Sequence, residues 1–247
     1  MVITLKGGDK KEYASPVSCK QIAADISERL ARAAVAAKVD GKLVDLAHVV
    51  ESDAEVEIVT LKDKEGLDVY RHTTAHVLAQ AVKAIFPTSK LAIGPTIDNG
   101  FYYDIDFQTP ITQEDLSKIE AEMKKIIKSN LPVERFTLPR NDAIKLMTKF
   151  SEKYKVALIK DLPEGEEISF YKQGGFTDLC RGPHLPSTGK IKAFKLTSIA
   201  GAYWRGNEKN KMLTRIYGTA FAKKDEMDAY FTMLEEAKKR VHIKLGK

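Results

Sequence analysis

Arg71-His72-Thr73-Thr74-Ala75-His76-Val77-Leu78-Ala79-Gln80 steps through the chain with the period of a helix. At 100° per residue, Leu78, Ala81, Val82 and Ile85 gather on one side, and His72, His76, Gln80 and Lys83 on the other. The two imidazoles therefore lie one turn apart on the polar face, where they are expected to point at a groove and not into the core. A hundred residues later, Asp178-Leu179-Cys180-Arg181-Gly182-Pro183-His184 adds a thiol and a third imidazole. These two segments hold three of the five histidines and one of the two cysteines in the 247 residues.

Imidazoles and a thiol in HxxxH and CxxxH spacing suit two chemistries. They can hold a zinc ion, or they can position and deprotonate a water beside a substrate. The alternative without chemistry is a polar helix face that happens to carry histidines, with Cys180 packed as a small hydrophobe. A zinc-metalloprotease helix is excluded: Thr73 stands where the glutamate base would follow the first histidine.

Working back to the N-terminus, residues 1–62 read as a small unit of their own. Val2–Leu5 is a strand, Gly7-Gly8-Asp9 a turn, and Glu12-Tyr13 opens a second strand. Ser18 is placed as a helix N-cap before Ile22, Ala23, Ile26 and Leu30. Asp40-Gly41 reads as a hairpin turn, and Glu55–Leu61 alternates as a last strand. That order suggests a β-grasp, ubiquitin-like module. The polar run Lys62-Asp63-Lys64-Glu65-Gly66 reads as a linker closed by a glycine.

Beyond the histidine helix, Leu91–Pro95 and Phe101–Phe107 read as strands around the turn Asp98-Asn99-Gly100. Thr112 with Asp115 opens a helix striped by Leu116, Ile119, Met123 and Ile126. Asn141 starts a short helix; Tyr154–Ile159, Ile168–Tyr171, Ala193–Leu196 and Met212–Tyr217 read as strands. From Lys223 the tail is helical, with Met227, Tyr230, Leu234, Ala237, Val241 and Leu245 recurring at three and four. Helices and strands mix without a βαβ repeat, so the fold class is α+β. The expected division is 1–62, then 63–222, then a helix over 223–247.

The bulk composition narrows the function classes. The chain is 43% hydrophobic and 30% charged, as in a soluble globular protein. No apolar run reaches a membrane-spanning length, and two distant cysteines make no disulfide framework, which suits a cytoplasmic protein without membrane partners. Net charge is +6, and it is uneven: −1 over residues 1–62 and +7 over the rest. Between 190 and 215, Lys190, Lys192, Lys195, Arg205, Lys209, Lys211 and Arg215 stand against Glu208 alone. With Phe194, Tyr203 and Trp204 interleaved, this stripe has the composition of a surface that tracks phosphates and stacks bases. A solvated lysine-rich hairpin is the plainer reading.

Several stretches together resemble one family. His72-Thr73-Thr74-Ala75-His76, Asn99-Gly100-Phe101-Tyr102-Tyr103-Asp104, Asp178–His184, Gly201-Ala202-Tyr203-Trp204-Arg205-Gly206 and Arg215–Phe221 are similar, in that order, to bacterial threonyl-tRNA synthetases. The resemblance implies a TGS domain, an editing domain and a linker helix towards a ligase module. ATP, magnesium and zinc belong to that module in the family; its class II motifs do not occur here, so no ligase activity and no cofactor are expected of this chain. The implied activity is hydrolysis of seryl-tRNA(Thr) at the 3′ end of the tRNA, by a monomer. His72, His76, Lys155, Cys180 and His184 are the implied catalytic set. Asp178 and Tyr103 are expected to bind substrate, and Lys190, Lys192, Lys195, Tyr203, Trp204, Arg205, Lys209, Lys211 and Arg215 to bind tRNA. The resemblance implies a metal-free site; a zinc-dependent alanyl-type deacylase holding the ion on His72, His76, Cys180 and His184, or a tRNA-binding module without chemistry, are the competing readings.

Overall fold

The structure is a computed structural model and describes residues 1–246; Lys247, the last residue of the expected terminal helix, lies outside them. The chain opens with β1 (Val2–Leu5), β2 (Lys10–Glu12) and β3 (Val17–Ser18), followed by α1 (Cys19–Ile26) and α2 (Glu28–Ala33). Next come β4 (Ala34–Val39), β5 (Lys42–Val44), β6 (Val49–Val50) and β7 (Ala54–Thr60). The main sheet runs β2-β1-β7-β4-β5, with β1 and β7 parallel and the other pairs antiparallel. Ser18 caps α1 as expected, accepting a hydrogen bond from the Gln21 N–H. Asp40 and Gly41, both at positive φ, turn β4 into β5. Cys19, Ile22 and Ala23 of α1 pack on Ile3, Ala37 and Val56 of the sheet, the arrangement of a β-grasp.

The supposed linker is not one. Helix α3 (Lys64–Ile85) begins inside it, and Gly66 is buried in its first turn. A Cβ there would lie 2.0 Å from the Thr60 carbonyl oxygen, so glycine lets α3 press onto the end of β7. Val69 and Tyr70 of α3 share one core with Val35, Ala36 and Val59 of the first sheet.

After α3 come β8 (Lys90–Leu91), β9 (Thr96–Ile97), β10 (Gly100–Asp106), α4 (Gln113–Lys128), β11 (Val133–Thr137), α5 (Arg140–Lys149) and α6 (Lys153–Asp161). The chain finishes with β12 (Ser169–Gln173), β13 (Phe176–Leu179), β14 (Ala193–Tyr203), β15 (Met212–Phe221) and α7 (Lys224–Leu245). An antiparallel sheet β14-β15-β10-β8, with β9 on β10, backs α3, while β11-β12-β13 form a separate sheet under α5 and α6. Thr112 and Asp115 make a full capping box on α4, and Leu116, Ile119, Met123 and Ile126 are buried as expected.

Residues 154–159, expected as a strand, are helical in α6. A short apolar run has no period that separates strand from helix. Here Tyr154, Lys155 and Ile159 are the buried positions, Ile159 sharing a core with Ala143 and Met147 of α5. The strands β14 and β15 are longer than expected, and β11 and β13 were missed. No residue of α7 is fully buried, although its start touches β14 and β15. None of the described helices is long and apolar enough to cross a membrane.

Candidate active site

Helix α3 is covered on almost every side between the first sheet, α4 and the β10/β15 face. The expectation of histidines on an open groove is therefore corrected: His76 is 3% exposed, and only His72 keeps partial access to solvent. The two rings sit one turn apart, centroids 5.2 Å apart and nearly perpendicular. The loop leaving β13 brings His184 between them, its ring 4.5 Å from that of His72 and 4.2 Å from that of His76. Cys180 Sγ lies 3.3 Å from His72 Nε2 and 3.2 Å from His184 Nε2, and the Gly182 N–H donates to the same sulfur at 3.3 Å. The distant segments thus meet in one cluster.

Thr73, noticed in the sequence only because it is not a glutamate, holds this cluster in place. Its hydroxyl donates to the Val69 carbonyl at 3.0 Å and accepts from the Leu185 N–H at 2.9 Å. His184 Nδ1 is also 2.9 Å away. With the threonine proton on Val69, Nδ1 must be the protonated nitrogen of His184. Its Nε2 then faces Cys180 as an acceptor for the S–H, and His72 is left to donate its Nε2–H to the sulfur.

Asp178, Lys155 and Tyr103 form the second half of the site. Lys155 Nζ sits 3.0 Å from Asp178 Oδ1 and donates to the Tyr103 hydroxyl at 2.9 Å, while Tyr103 donates to Asp178 Oδ2 at 2.6 Å. Lys155 is 3% and Asp178 1% exposed. The helical turn of α6, not a strand, aims Lys155 inward; its neighbour Tyr154 donates to Asp106 at 2.7 Å and meets the Trp204 ring at a tilt, centroids 4.8 Å apart. His76 Nε2 is 3.7 Å from Asp178 Oδ2, too far for a hydrogen bond.

Burial acts in opposite senses on the two halves. Burial, with His76 beside it, pulls His72 down to about 3, and burial pulls His76 down to about 4. Burial and the other two imidazoles hold His184 well below the usual histidine range. All three rings are therefore neutral at pH 7. Burial pushes the Cys180 thiol up to about 12, so it is a thiol and not a thiolate. Burial would also raise Asp178, but the Lys155 charge, His76 and the bonds from Tyr103 and Lys155 outweigh it, leaving the carboxyl below its ordinary value.

Nitrogens of His72, His76 and His184 and the Cys180 sulfur lie within 4.8 Å of one another. A tetrahedral zinc needs about 2.3 Å to sulfur and 2.0–2.1 Å to nitrogen, which places donors roughly 3.5 Å apart. Three imidazoles and a thiol, with Thr73 behind His184 as an outer partner, fit such an ion after slight closing.

The basic stripe looks different in three dimensions. Lys195 pairs with Glu120 at 3.0 Å, Lys211 with Asp106 at 2.7 Å, Arg215 with Asp104 at 2.8 Å, and Arg205 with Asp161. The acids come from α4, β10 and α6, so the local excess counted along the sequence is largely matched. Lys190 and Lys192 donate to backbone carbonyls of Arg32 and Gly189. Trp204 packs towards Tyr154 with Arg205 over its ring, while Tyr203 is 40% exposed. Lys209 is exposed at the hairpin tip.

A β-grasp unit sharing its core with an α+β domain that gathers three imidazoles, a thiol and a buried Lys–Asp pair defines the class. Residues 1–60 match the TGS domain, and residues 168–217, which include Asp178, Cys180 and His184, match the threonyl and alanyl tRNA synthetase second additional domain. The chain is 61% identical over 245 residues to the threonine--tRNA ligase of Acetivibrio thermocellus, covering 99% of this chain and 39% of that protein. It is 60% identical over 245 residues to that of Clostridioides difficile and 59% over 247 residues to that of Caldanaerobacter subterraneus, covering 38% of each. The chain thus spans about two-fifths of the length of the curated relatives it matches. It is homologous to the N-terminal region of threonine--tRNA ligases, with a TGS domain and an editing-type domain.

Proposed function

We propose that this chain hydrolyses seryl-tRNA(Thr), proofreading serine wrongly attached by a threonine-specific ligase in the cytoplasm. The observation that supports this most is the convergence of His72, His76, Cys180 and His184 beside the Lys155–Asp178 pair. Serine differs from threonine by one methyl group, and a site built on that difference alone separates two substrates by only ~10–200-fold. A second, hydrolytic site is the chemical remedy.

The ester approaches at the His72–Cys180 edge, where the cluster is least buried. His72 Nε2 faces that edge, and its neutral ring in the other tautomer accepts the proton of the attacking water. The water oxygen bonds to the ester carbon, and Lys155, with the Tyr103 hydroxyl, stabilises the negative oxygen that develops. As the carbon–oxygen bond to the ribose breaks, the imidazolium returns its proton to the ribose oxygen, releasing serine and free tRNA. A thiol held neutral is a poor nucleophile, so Cys180 serves as a wall and hydrogen-bond partner. Asp178 receives the α-ammonium of the amino acid. Among the described residues, Lys190, Lys192 and Lys209 are the cations of the stripe without a carboxylate partner, and they take the phosphates of the tRNA, with Tyr203 exposed for stacking.

Because the donor set also fits zinc, one alternative stays distinct: His72, His76, Cys180 and His184 would hold the ion, which would polarise the ester carbonyl. Incubating seryl-tRNA(Thr) with the protein separates the readings. The proposal expects hydrolysis insensitive to chelator, lost in His72→Ala, with salt-dependent tRNA binding retained. Binding without turnover overturns the enzyme reading. One equivalent of zinc, absent from His76→Ala, overturns the metal-free one.

A further inference from the structure

We infer that Asp45, in the TGS domain, is a positioning residue of the editing-type site: its carboxylate fixes the backbone of His184 and the ring that packs on it. Asp45 Oδ1 accepts the His184 N–H at 2.8 Å, and Oδ2 accepts the Tyr171 hydroxyl at 2.6 Å. These bonds cross from the loop after β5 to the far domain, 139 and 126 residues along the chain. The two oxygens thus accept two donors at once; burial pushes the carboxyl above its ordinary range, and the bonds from Tyr171 and His184 act against that rise.

The two contacts constrain the same object. Tyr171 is 2% exposed and meets the His184 ring edge-on, centroids 4.4 Å apart. Its hydroxyl fills the space that a side chain on Gly182 would need; a Cβ there would lie 1.9 Å from it. Asp45 therefore holds the loop at His184 directly and at Gly182 through Tyr171. The other restraints, Thr73 on Leu185 and His184 and Ser169 on the Cys180 backbone, come from the editing-type domain itself. Because Val35, Ala36 and Val59 share a core with α3, the TGS sheet has a fixed place from which Asp45 can act. A shared core alone asks for no carboxylate at this point; a donor from the loop after β13 and one from β12, converging on a single side chain, do.

The inference rests on the deacylase reading for its kinetic arm and is independent of it for its spectroscopic arm. In the full chain, Asp45→Ala is expected to lower kcat for seryl-tRNA(Thr) hydrolysis by about 10–100-fold, the effect of a misplaced catalytic group, with KM within about twofold. The imidazole nitrogen resonances of His184 should shift while those of His242 stay in place. Asp45→Asn, which keeps one acceptor, should lose about tenfold or less. If Asp45→Ala does not fold, Asp45→Asn decides on the same readouts. Wild-type kcat with unmoved His184 resonances overturns the inference, as does a lowered melting temperature with kcat unchanged, which marks Asp45 as interdomain glue. Wild-type protein that hydrolyses nothing defeats the proposed function instead, and the His184 resonances then decide Asp45 alone.

Discussion

Lys155→Met would remove the one cation from the buried half of the site while keeping the length of the side chain. Nζ is 3.0 Å from Asp178 Oδ1, and the two side chains are 4% and 1% exposed. Breaking a buried ion pair by deleting one partner costs about 3–5 kcal/mol, because the other charge is left without compensation. Tyr103 still donates to Asp178 at 2.6 Å, which places the expected loss near the lower bound, about 3 kcal/mol. For a chain of this size that lowers the melting temperature by roughly 6–12 °C.

The pH dependence gives the sharper test. In the wild-type protein the Asp178 carboxyl lies below its ordinary value, so its contribution is present above the unfolded pKa of about 3.9 and lost as pH falls below it. Without Lys155, burial is left as the dominant cause and raises the carboxyl. Its sign then reverses: the variant is least penalised near pH 4. The penalty grows as pH rises, because the unfolded chain ionises while the native carboxyl stays protonated, and it levels off above the variant's folded pKa. Guanidinium unfolding of both proteins at several values between pH 4 and pH 7.5 measures this difference. A cost under about 1 kcal/mol at pH 7, or a penalty that does not grow with pH, refutes the account of the pair as buried and mutually dependent.

Two further outcomes follow from the same geometry. With its pKa at about 12, the Cys180 thiol should react with iodoacetamide on the order of 10³-fold more slowly at pH 7 than a free cysteine, the rate rising about tenfold per pH unit; peptide mass spectrometry separates it from Cys19, and fast labelling at pH 7 contradicts the burial argument. Gly182→Ala places a Cβ 1.9 Å from the Tyr171 hydroxyl at φ +74°, and is expected to cost about 2–4 kcal/mol on denaturant unfolding, with wild-type stability as the contrary result.

The parts of the site that the sequence made legible are those written in local spacing. His72 and His76 are one turn apart because four residues make a turn, and Cys180–His184 had to be a loop because Gly182 and Pro183 interrupt it. What the spacing could not show is what lies opposite. The 190–215 stripe counted as +6 because its matching acids, Asp104, Asp106, Glu120 and Asp161, sit 44 to 111 residues from their partners in sequence. The face of α3 carrying His76 read as polar and open because the β13 loop that closes it is equally distant. Lys155 is a candidate that the sequence puts on the wrong element, since Tyr154–Ile159 has the composition of either a strand or a short helix. Thr73 and Asp45 carried no local signal; each is significant only for the donor that tertiary packing brings to it.

These contacts also explain why the two halves of the site need each other. The imidazole cluster is neutral, so it offers lone pairs to a water but no charge to an ammonium or an oxyanion. The Lys155–Asp178 pair has both charges, but in the closed arrangement each satisfies the other. Under the deacylase reading, the α-ammonium of an incoming aminoacyl ester competes with Lys155 for Asp178, the carboxylate that touches the cluster. Whatever share of Asp178 the substrate takes is released as hydrogen-bonding capacity on Lys155, within reach of the developing oxyanion. The buried ion pair is then a latch that a free amino group opens, and an ester whose amine is acetylated should bind without releasing Lys155 and be hydrolysed more slowly than its unmodified counterpart.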